Sequence, residues 1–327
     1  MPSSRRPGPY DGRMKVVVLD DYQRCASRFA PWDELGCEVA YLHEHLLGDA
    51  LVDVLAGADV VVAMRERTPF AAELLERLPA LRLLVTTGAS NASIDVSAAT
   101  RLGVTVCGTR SLPGPAAELT WALILALLRQ VPESDAGLRA GEWQHTVGTD
   151  LAGATLGLLG LGRLGQRVAR VAAAFEMEVL AWSQNLDPEV ARSHGVTPVG
   201  KDELLARSDV VSLHLRLSDR TRGLVGEREL AAMRRTAYLV NTSRGPLVDE
   251  GALIAALHAG EIAGAGLDVY DVEPLPRDHP LRSTPNTVLT PHTGYVTDGG
   301  YRLFYGDAVE DIAAWRDGAP LRVVTAG

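Results

Sequence analysis

Short apolar runs alternate with amphipathic stretches along the first third of the chain. The apolar runs have the length of buried strands and lie at residues 15–20, 38–41, 59–64, 81–86 and 104–107. Helix-like stretches at residues 70–78 and 94–102 lie between some of these runs. Because strands that alternate with helices form parallel sheets with helices on both faces, the pattern predicts an α/β domain.

The same alternation returns in the second half of the chain. Strand-like runs lie at residues 155–159, 178–183, 209–215, 237–242, 265–270 and 287–290. Helical stretches lie at residues 164–175, 201–207, 227–233 and 251–258. This pattern fits two βαβ halves. A last helical stretch, residues 301–315, is expected to return to the first domain.

Two domains are expected, because 327 residues exceed the size at which one hydrophobic core usually stops growing. We predict an α/β fold of two Rossmann-like domains, each a parallel sheet flanked by helices, with the active site in the cleft between them. One domain is expected at residues 14–109 and 299–327. A dinucleotide-binding domain is expected at residues 110–298, and residues 1–13 are expected to be a disordered leader.

Residues 116–130 form the most apolar helical stretch of the sequence. A helix with so little polar surface has to be buried. We therefore expect it to connect the domains and to pack between them or against a second subunit, which would make the protein a homodimer.

Charge and cysteine content exclude several classes of function. The formal net charge of −9 disfavours a nucleic-acid partner and a polybasic membrane anchor. The longest apolar run, residues 119–128, is too short to span a membrane. Cys25, Cys37 and Cys107 form no metal-binding spacing, so no metal is expected, and unpaired cysteines suit the reducing cytoplasm.

The sequence LGLLGLGRLG at residues 156–165 predicts a dinucleotide site. It places Gly160, Gly162 and Gly165 between a strand-like run and a helix-like run. In such a turn the first glycine permits the bend, the second admits a pyrophosphate, and the third allows helix and strand to pack closely. The amino terminus of the helix then supplies N–H groups to the phosphates.

Polar side chains follow successive predicted strands of this second domain. Arg244, Glu273 and His292 each come shortly after such a strand. Ligands of open parallel sheets bind beyond the carboxyl ends of the strands, so these residues are candidates for one site. An arginine can hold a carboxylate through two hydrogen bonds, and a histidine paired with a carboxylate can transfer a proton to a carbonyl oxygen. Taken singly, each residue has a structural explanation as well.

The chain from residue 15 onward resembles the D-isomer-specific 2-hydroxyacid dehydrogenases. The matching segments, in the family's order and spacing, are LGLLGLGRLG, VVSLHLRLSDRTRGLVG, AYLVNTSRGPLVDEGAL, AGAGLDVYDVEPLP and NTVLTPHTGY. The resemblance implies that Arg244 binds the carboxylate and carbonyl of the substrate. It also implies that Glu273 and His292 form the acid/base pair.

The same resemblance assigns residues to the cofactor. It implies that the backbone of Arg163 and Leu164 contacts the pyrophosphate and that Asp268 lies near the nicotinamide carboxamide. It further implies that His214 and Thr242 line the cofactor cleft.

The resemblance implies that residues 14–109 and 299–327 form a flavodoxin-like substrate domain, with substrate-binding backbone amides at Gly88 and Ala89. The family's second glycine is replaced by Ser90, and its aromatic-Asp-Asn run by Asn91, Ala92 and Ser93, which leaves the shape of the pocket open. Arg65 stands where some family members turn an arginine toward the substrate. A surface ion pair is the alternative role for Arg65.

Ser183 leaves the choice between NAD and NADP open. An acidic residue that binds the ribose hydroxyls is expected at this strand end, and Ser183 is followed by Gln184 and Asn185. No carboxylate repels a 2′-phosphate there, and no neighbouring arginine attracts one. Arg216 is the candidate for such a charge.

The predicted function is that of an NAD(P)-dependent oxidoreductase that interconverts a small 2-oxo acid, such as glyoxylate or hydroxypyruvate, and the D-2-hydroxy acid. One alternative is a nicotinamide-sensing binding protein similar to the C-terminal-binding corepressors. The others are formate, phosphite and phosphoglycerate dehydrogenases, which share the architecture.

Overall fold

The computed structural model describes residues 14–326 and divides the chain into two compact units. Unit 1 comprises Met1–Leu112 together with Val296–Gly327, and unit 2 comprises Pro113–Tyr295. The leader predicted at residues 1–13 lies outside the described residues. Unit 2 is one continuous segment, whereas unit 1 is built from both ends of the sequence.

The helices and strands are numbered in chain order. The strands are β1 (Lys15–Val18), β2 (Glu38–Tyr41), β3 (Val60–Ala63), β4 (Leu83–Thr86), β5 (Thr105–Gly108), β6 (Thr155–Leu159), β7 (Glu178–Trp182), β8 (Thr197–Pro198), β9 (Val210–Leu213), β10 (Tyr238–Asn241), β11 (Gly264–Leu267) and β12 (Thr287–Leu289). The helices are α1 (Ala26–Phe29), α2 (Gly48–Leu55), α3 (Ala72–Glu76), α4 (Val96–Arg101), α5 (Pro115–Leu128), α6 (Val131–Ala140), α7 (Arg163–Ala174), α8 (Pro188–Ser193), α9 (Lys201–Arg207), α10 (Glu227–Ala232), α11 (Glu250–Ala259) and α12 (Asp298–Arg316). Short 3-10 turns lie at Trp32–Leu35, Gly245–Leu247 and Pro280–Ser283.

Unit 1 contains a five-stranded parallel sheet in the order β2-β1-β3-β4-β5. Its central strands are almost entirely buried because helices cover both faces, which explains their valine-rich and leucine-rich sequences. Helix α12 belongs to this unit and packs near β4 through its buried residues Tyr301, Phe304, Tyr305 and Ile312. The carboxyl-terminal helix thus lies in the same unit as β1 to β5.

Residues 322–324 form a strap that pairs with the edge strand β5. Val323 forms an antiparallel bridge with Cys107, and the N–H of Gly108 donates to the carbonyl of Arg322 at 2.9 Å. The Arg322 side chain is held by carboxylates of α12, including Asp311 at 3.0 Å. Pairing of this kind satisfies backbone groups that an open sheet edge would leave exposed.

Unit 2 contains a seven-stranded parallel sheet in the order β12-β11-β10-β9-β6-β7-β8. The order reverses between β6 and β9, which is the arrangement of a Rossmann dinucleotide-binding fold. Side chains alternate between two cores. Val210 joins the core beneath α5 and α7, and Val211 joins the core beneath α9, α10 and α11. The prediction of an α/β fold with two parallel sheets is confirmed.

The apolar stretch predicted at residues 116–130 forms α5, which packs within unit 2. Its buried residues Trp121, Leu123, Ile124 and Leu127 lie in the same core as β6 and α7. A Cβ atom on Gly266 of β11 would lie 3.0 Å from Leu127 and 3.1 Å from Leu123, so the glycine allows the helix to approach the sheet closely. The core of unit 2 therefore buries one side of this helix, which accounts for seven of its fourteen residues.

Among residues 14–326, no helix is both long enough and apolar enough to cross a lipid bilayer.

Candidate active site

The carboxyl ends of β10, β11 and β12 carry the three residues predicted to be catalytic. The three strands are parallel and adjacent, so their carboxyl ends lie along the same edge of the sheet of unit 2. Arg244 follows β10, Glu273 follows β11 and His292 follows β12. The order of the strands thus places these residues after three consecutive positions of one sheet.

Glu273 and His292 are joined by a short side-chain hydrogen bond. The Nδ1 atom of His292 lies 2.6 Å from Oε2 of Glu273. The imidazole also packs edge-on against Tyr295, with ring centroids 5.5 Å apart. With Nδ1 bound to the carboxylate and no hydrogen-bond partner for Nε2 among residues 14–326, Nε2 is the ring atom available for proton transfer.

The turn that carries Arg244 is fixed by its neighbours. The Nδ2 atom of Asn241 donates to the Arg244 carbonyl at 2.9 Å, and its Oδ1 accepts from the Ser243 N–H at 3.0 Å. Nη1 of Arg244 donates to the Ser243 carbonyl at 2.7 Å. Gly245 follows, where a Cβ atom would collide with the backbone of Tyr270. A side chain at Gly245 would therefore displace the turn that positions the guanidinium.

Asp268 anchors the loop that contains His292. The buried carboxylate accepts hydrogen bonds from Thr290 Oγ1 at 2.6 Å, the Thr293 N–H at 2.7 Å and the Gly294 N–H at 2.9 Å. Burial raises the pKa of Asp268, and these hydrogen bonds oppose that shift. His292 lies inside the loop and has a left-handed backbone, with φ of 52°. Such a conformation persists in a histidine only when its surroundings hold it, which Asp268 does here.

The glycine-rich turn has the geometry that a pyrophosphate site requires. Gly160 has φ of 107°, and a Cβ atom there would lie 2.6 Å from the His214 carbonyl. A Cβ atom on Gly165 would collide with the Gly160 carbonyl, whereas one on Gly162 would meet no atom within 4 Å. The first and third glycines are therefore required by packing, and the second leaves open space. The residues fit a dinucleotide.

Helix α7 begins directly at this open space. The first intrahelical hydrogen bond runs from the Gln166 N–H to the Gly162 carbonyl at 2.9 Å. The N–H groups of Arg163, Leu164 and Gly165 precede that bond and belong to the helix amino terminus. Together with the helix dipole, such N–H groups bind phosphate.

His214 lies beside the same turn. Its Nε2 atom is 2.9 Å from Ser212 Oγ, and its buried Nδ1 atom has no partner among residues 14–326. Burial lowers the pKa of His214 from 6.5 to about 4, so the ring is neutral at physiological pH. A buried ring nitrogen without a partner is unusual in a folded protein and is consistent with a site that binds a polar ligand.

Acid is expected to destabilise unit 2 through His214. Because its pKa is about 4 in the folded protein and about 6.5 in the unfolded chain, the unfolded chain takes up the proton first as the pH falls. The stability that neutral His214 contributes is therefore complete above pH 6.5 and is lost between pH 6.5 and 4, with about 2 kcal/mol lost by pH 5. Urea unfolding at pH 7 and pH 5 measures this loss. His214→Gln should remove that part of the pH dependence, and the exposed control His258→Gln should retain it. Equal pH dependence in the two variants would contradict the assignment.

Thr242 and Ser183 complete the residues that the sequence assigns to the cofactor. Thr242 is buried, with its Oγ1 atom 2.8 Å from Thr120 Oγ1. Ser183 follows β7, and its carbonyl accepts from the Leu186 N–H at 3.2 Å. The next carboxylate along the chain, Asp187, caps α8 by accepting from the Glu189 N–H at 2.9 Å. The expected acidic residue is thus absent from the end of β7.

In unit 1, Arg65 lies beyond the carboxyl end of β3 with a left-handed backbone, φ 53°. Its N–H donates to Thr87 Oγ1 at 2.9 Å, and its carbonyl accepts from Asn91 Nδ2 at 2.6 Å. The guanidinium packs over Gly88, where a Cβ atom would collide with Nη1. The absence of a side chain at Gly88 therefore allows the Arg65 side chain to adopt this position.

The backbone N–H groups of residues 88–90 differ in whether they have a hydrogen-bond acceptor. The Gly88 N–H donates to Thr109 Oγ1 at 2.7 Å, so it is already engaged. The N–H groups of Ala89 and Ser90 have no acceptor among residues 14–326. The backbone N–H groups of Ala89 and Ser90 are therefore the ones at this turn left to donate to a ligand.

The chain is similar in sequence and in fold to known proteins. The family model described as "D-isomer specific 2-hydroxyacid dehydrogenase, NAD binding domain" matches residues 121–294 of the chain. Glyoxylate reductase of Aeropyrum pernix is 42% identical over 256 residues, which are 75% of this chain and 76% of that protein. D-3-phosphoglycerate dehydrogenase of Methanocaldococcus jannaschii is 37% identical over 290 residues, which are 87% of this chain and 54% of that protein. The solved structure of phosphoglycerate oxidoreductase from Vibrio cholerae o395 has a TM-score of 0.89 at 39% identity and covers 94% of this chain and 100% of that chain.

The matched region contains the glycine-rich turn, Arg244, Glu273 and His292. The Vibrio structure resembles the chain over almost its whole length. The chain therefore belongs to the D-isomer specific 2-hydroxyacid dehydrogenase family and is an oxidoreductase with an NAD-binding domain.

Proposed function

We propose that the protein reduces a small 2-oxo acid, such as glyoxylate or hydroxypyruvate, to the D-2-hydroxy acid with a nicotinamide cofactor. The observation that carries this proposal is the 2.6 Å pair between His292 and Glu273, with Arg244 on the neighbouring strand end. This is the set of groups that reduction of an oxo acid needs. The glyoxylate reductase name of a relative 42% identical over three quarters of the chain supports a small substrate.

The roles follow from the chemistry of each group. Arg244 holds the substrate carboxylate through two hydrogen bonds and polarises the adjacent carbonyl. Bound nicotinamide supplies the hydride that forms the new C–H bond. Nε2 of His292 gives its proton to the carbonyl oxygen, and Glu273 stabilises the imidazolium that exists before this transfer. One hydride and one proton together convert the oxo acid to the hydroxy acid.

The cofactor is proposed to lie on the glycine-rich turn of unit 2. Its pyrophosphate would contact the N–H groups of Arg163 and Leu164, and Gly162 would leave room for it. The residues proposed to line the rest of the cofactor site are Gly160, Gly165, Ser183, His214, Thr242 and Asp268. The partnerless Nδ1 atom of His214 supports a polar ligand at this place.

For unit 1 we propose an anion site for the substrate. The unpaired N–H groups of Ala89 and Ser90 and the guanidinium over Gly88 support it. Arg65 would supply the positive charge of this site. The Gly88 N–H, which Thr109 engages, is proposed to shape the turn rather than to bind the substrate.

The protein is proposed to accept both NADH and NADPH, because Ser183 neither repels nor captures a 2′-phosphate. Ser183→Asp is expected to lower kcat/KM with NADPH at least about tenfold and to leave NADH turnover within about threefold, since a carboxylate binds ribose hydroxyls and repels phosphate. Initial rates with both cofactors measure the ratio. Asn185→Asp adds the same charge to an exposed neighbour and is expected to leave the ratio near its original value. An unchanged ratio in Ser183→Asp would show that this strand end does not face the ribose.

The direct test is an assay of the purified protein with NADH and with NADPH against glyoxylate, hydroxypyruvate, pyruvate and 3-phosphohydroxypyruvate. We expect turnover of at least one unphosphorylated acid, and a product of D configuration from pyruvate or hydroxypyruvate, whose reduced forms are chiral. Absence of turnover for all acids with both cofactors would overturn the proposal. The binding-protein alternative would then be tested by peptide pull-downs with and without cofactor.

A second candidate activity is phosphoglycerate dehydrogenase. Arg65 beside the Ala89 and Ser90 amides favours a substrate with a second anionic group. Relatives named for phosphoglycerate support it, although the chain spans only 54% of the Methanocaldococcus protein. In this case 3-phosphohydroxypyruvate would be the best substrate of the panel, and Arg65→Ala would affect it far more than glyoxylate.

A homodimer is also proposed, with a second copy of the chain on the surface formed by α6 and the loop after it. Trp143 is 77% exposed and Val147 is 88% exposed, and the apolar residues Val131 and Leu138 are more than half exposed nearby in sequence. Large exposed apolar groups of this kind mark interaction surfaces, and a two-fold axis lets the same groups meet their own copies. Light scattering should give twice the chain mass, and Trp143→Arg with Leu138→Asp should give the monomer. A monomeric wild type would contradict it.

The reaction is proposed to take place in the cytoplasm. Cys25, Cys37 and Cys107 carry free thiols in the structure, which suits a reducing compartment. Cell fractionation followed by detection of the protein tests this location, and recovery outside the cytoplasmic fraction would contradict it.

A further inference from the structure

Tyr270 contacts the structural supports of all three proposed catalytic residues. It lies after β11, is only 6% exposed, and its ring packs in the core beneath α9, α10 and α11. Its backbone abuts Gly245, the residue after Arg244, so closely that a Cβ atom on the glycine would collide with it. Its N–H donates to Glu273 Oε1 at 2.9 Å.

The hydroxyl of Tyr270 makes the third contact. It lies 2.9 Å from the carbonyl oxygen of Thr290 and 3.3 Å from that of Leu267. The same Thr290 carbonyl accepts the His292 N–H at 3.0 Å. The hydroxyl thus bonds to the peptide group that holds His292 in its left-handed conformation.

We propose that Tyr270 is a positioning residue, whose hydroxyl bond to Thr290 aligns His292 with Glu273. This inference rests on the proposed function of the two residues. The contacts to Gly245 and Glu273 come from the backbone of Tyr270, so any residue at this position could make them. The bond to Thr290 requires a hydroxyl at the far end of a buried ring, and tyrosine is the residue that provides it.

The hydroxyl remains a donor at every working pH. Burial raises the pKa of Tyr270 well above its usual range, and the charges of Asp268 and Glu273 raise it further. Asp268 holds the same loop through Thr290 Oγ1, Thr293 and Gly294. Asp268 therefore holds the loop at Thr290, Thr293 and Gly294, and Tyr270 holds the Thr290 carbonyl that accepts the His292 N–H.

The test is Tyr270→Phe, which removes the hydroxyl and keeps the ring. We expect kcat for the oxo acid to fall about tenfold while KM changes less than about twofold, because a small misplacement of a proton donor slows the chemistry more than it weakens binding. The solvent deuterium isotope effect on kcat should increase, since proton transfer becomes more strongly rate-limiting. Loss of stability alone would not change this isotope effect.

Ser208→Ala is the matched control. It removes another buried hydroxyl of unit 2, which donates to the Leu204 carbonyl at 2.7 Å next to the amino end of β9. We expect it to lower the melting temperature to a similar extent and to leave kcat and the isotope effect unchanged. Tyr270→Phe with kcat and isotope effect within error of wild type, measured well below its melting temperature, would overturn the proposal.

A second measurement does not depend on activity. The 2.6 Å contact should give a strongly deshielded imidazole N–H proton in the NMR spectrum of the wild type, which His292→Asn removes. In Tyr270→Phe this resonance should broaden and exchange faster with solvent. An unchanged resonance would overturn the positioning role. Lack of turnover in the wild type would overturn the proposed function and leave this measurement to decide on Tyr270.

Discussion

Arg244→Lys is expected to lower kcat/KM for the oxo acid by about a thousandfold, equivalent to about 4 kcal/mol of transition-state stabilisation. The planar guanidinium can bind a carboxylate with two parallel hydrogen bonds and polarise the carbonyl beside it, whereas an ammonium group offers a single point charge. The turn around Arg244 is held by Asn241, so the lysine would start from the same backbone position. Steady-state kinetics with the best substrate of the panel measure the effect.

Two controls separate this role from a general loss of structure. Arg235→Lys makes the same change at an exposed position of unit 2, where the side chain donates to the Gly260 carbonyl, and should leave kcat/KM within about twofold because exposed polar contacts contribute little. Added guanidinium ion should restore part of the activity of Arg244→Ala. Turnover of Arg244→Lys near the wild-type value would remove Arg244 from the mechanism.

His292→Asn is expected to lower kcat about a thousandfold, which lies within the contribution of general acid catalysis by a well-placed side chain. Glu273→Gln should have a smaller effect, about a hundredfold, because it leaves the imidazole present and removes the carboxylate 2.6 Å away. The two residues act as one unit, so the double variant should be little slower than His292→Asn alone. Single-turnover reduction with saturating cofactor measures all three variants.

Cofactor binding provides the internal control for the His292 series. Quenching of protein fluorescence by NADH should be unchanged in all three variants, since the glycine-rich turn follows β6 and not β12. Additive losses in the double variant would contradict the concerted role. Retention of kcat in His292→Asn would show that another group donates the proton.

Much of the fold could be predicted because its strands are continuous apolar runs that alternate with stretches of helical periodicity. The parallel sheets, the glycine-rich turn and the carboxyl-end location of Arg244, Glu273 and His292 all follow from such local patterns. Strand β8 was not predicted, because two residues that include Pro198 leave no period to detect. Helix α6 was not predicted either, since only Gly137 of its ten residues is buried, which leaves no amphipathic pattern to detect.

The hydrogen bonds that support the candidate site could not be predicted from local sequence patterns. Tyr270 reaches Thr290 across 20 residues, and Asp268 reaches Gly294 across 26. Asn91 holds the Arg65 carbonyl, although the sequence shows only that Asn91 interrupts a family motif. Such links depend on the paths of two loops at once, and neither loop has a repeating pattern from which its path could be inferred.

The apolar helix α5 shows how a correct inference can have an incomplete explanation. Its sequence indicates burial, and seven of its fourteen residues are buried. Hydrophobicity does not identify the partner surface, and here the partner is the sheet of unit 2, where Gly266 admits the helix closely. The dimer proposal therefore depends on the exposed residues Trp143 and Val147 instead.

The division of unit 1 between both ends of the sequence has a consequence for synthesis on the ribosome. All of unit 2 emerges as one segment before Val296, so it can fold while the remaining chain is still being made. The sheet of unit 1 has to wait for α12, which supplies the buried residues Tyr301, Phe304 and Tyr305, and for the strap on β5. During that interval the nascent chain exposes the apolar surface that α12 later covers. Chaperones that bind apolar segments are thus expected to engage unit 1 after unit 2 has folded.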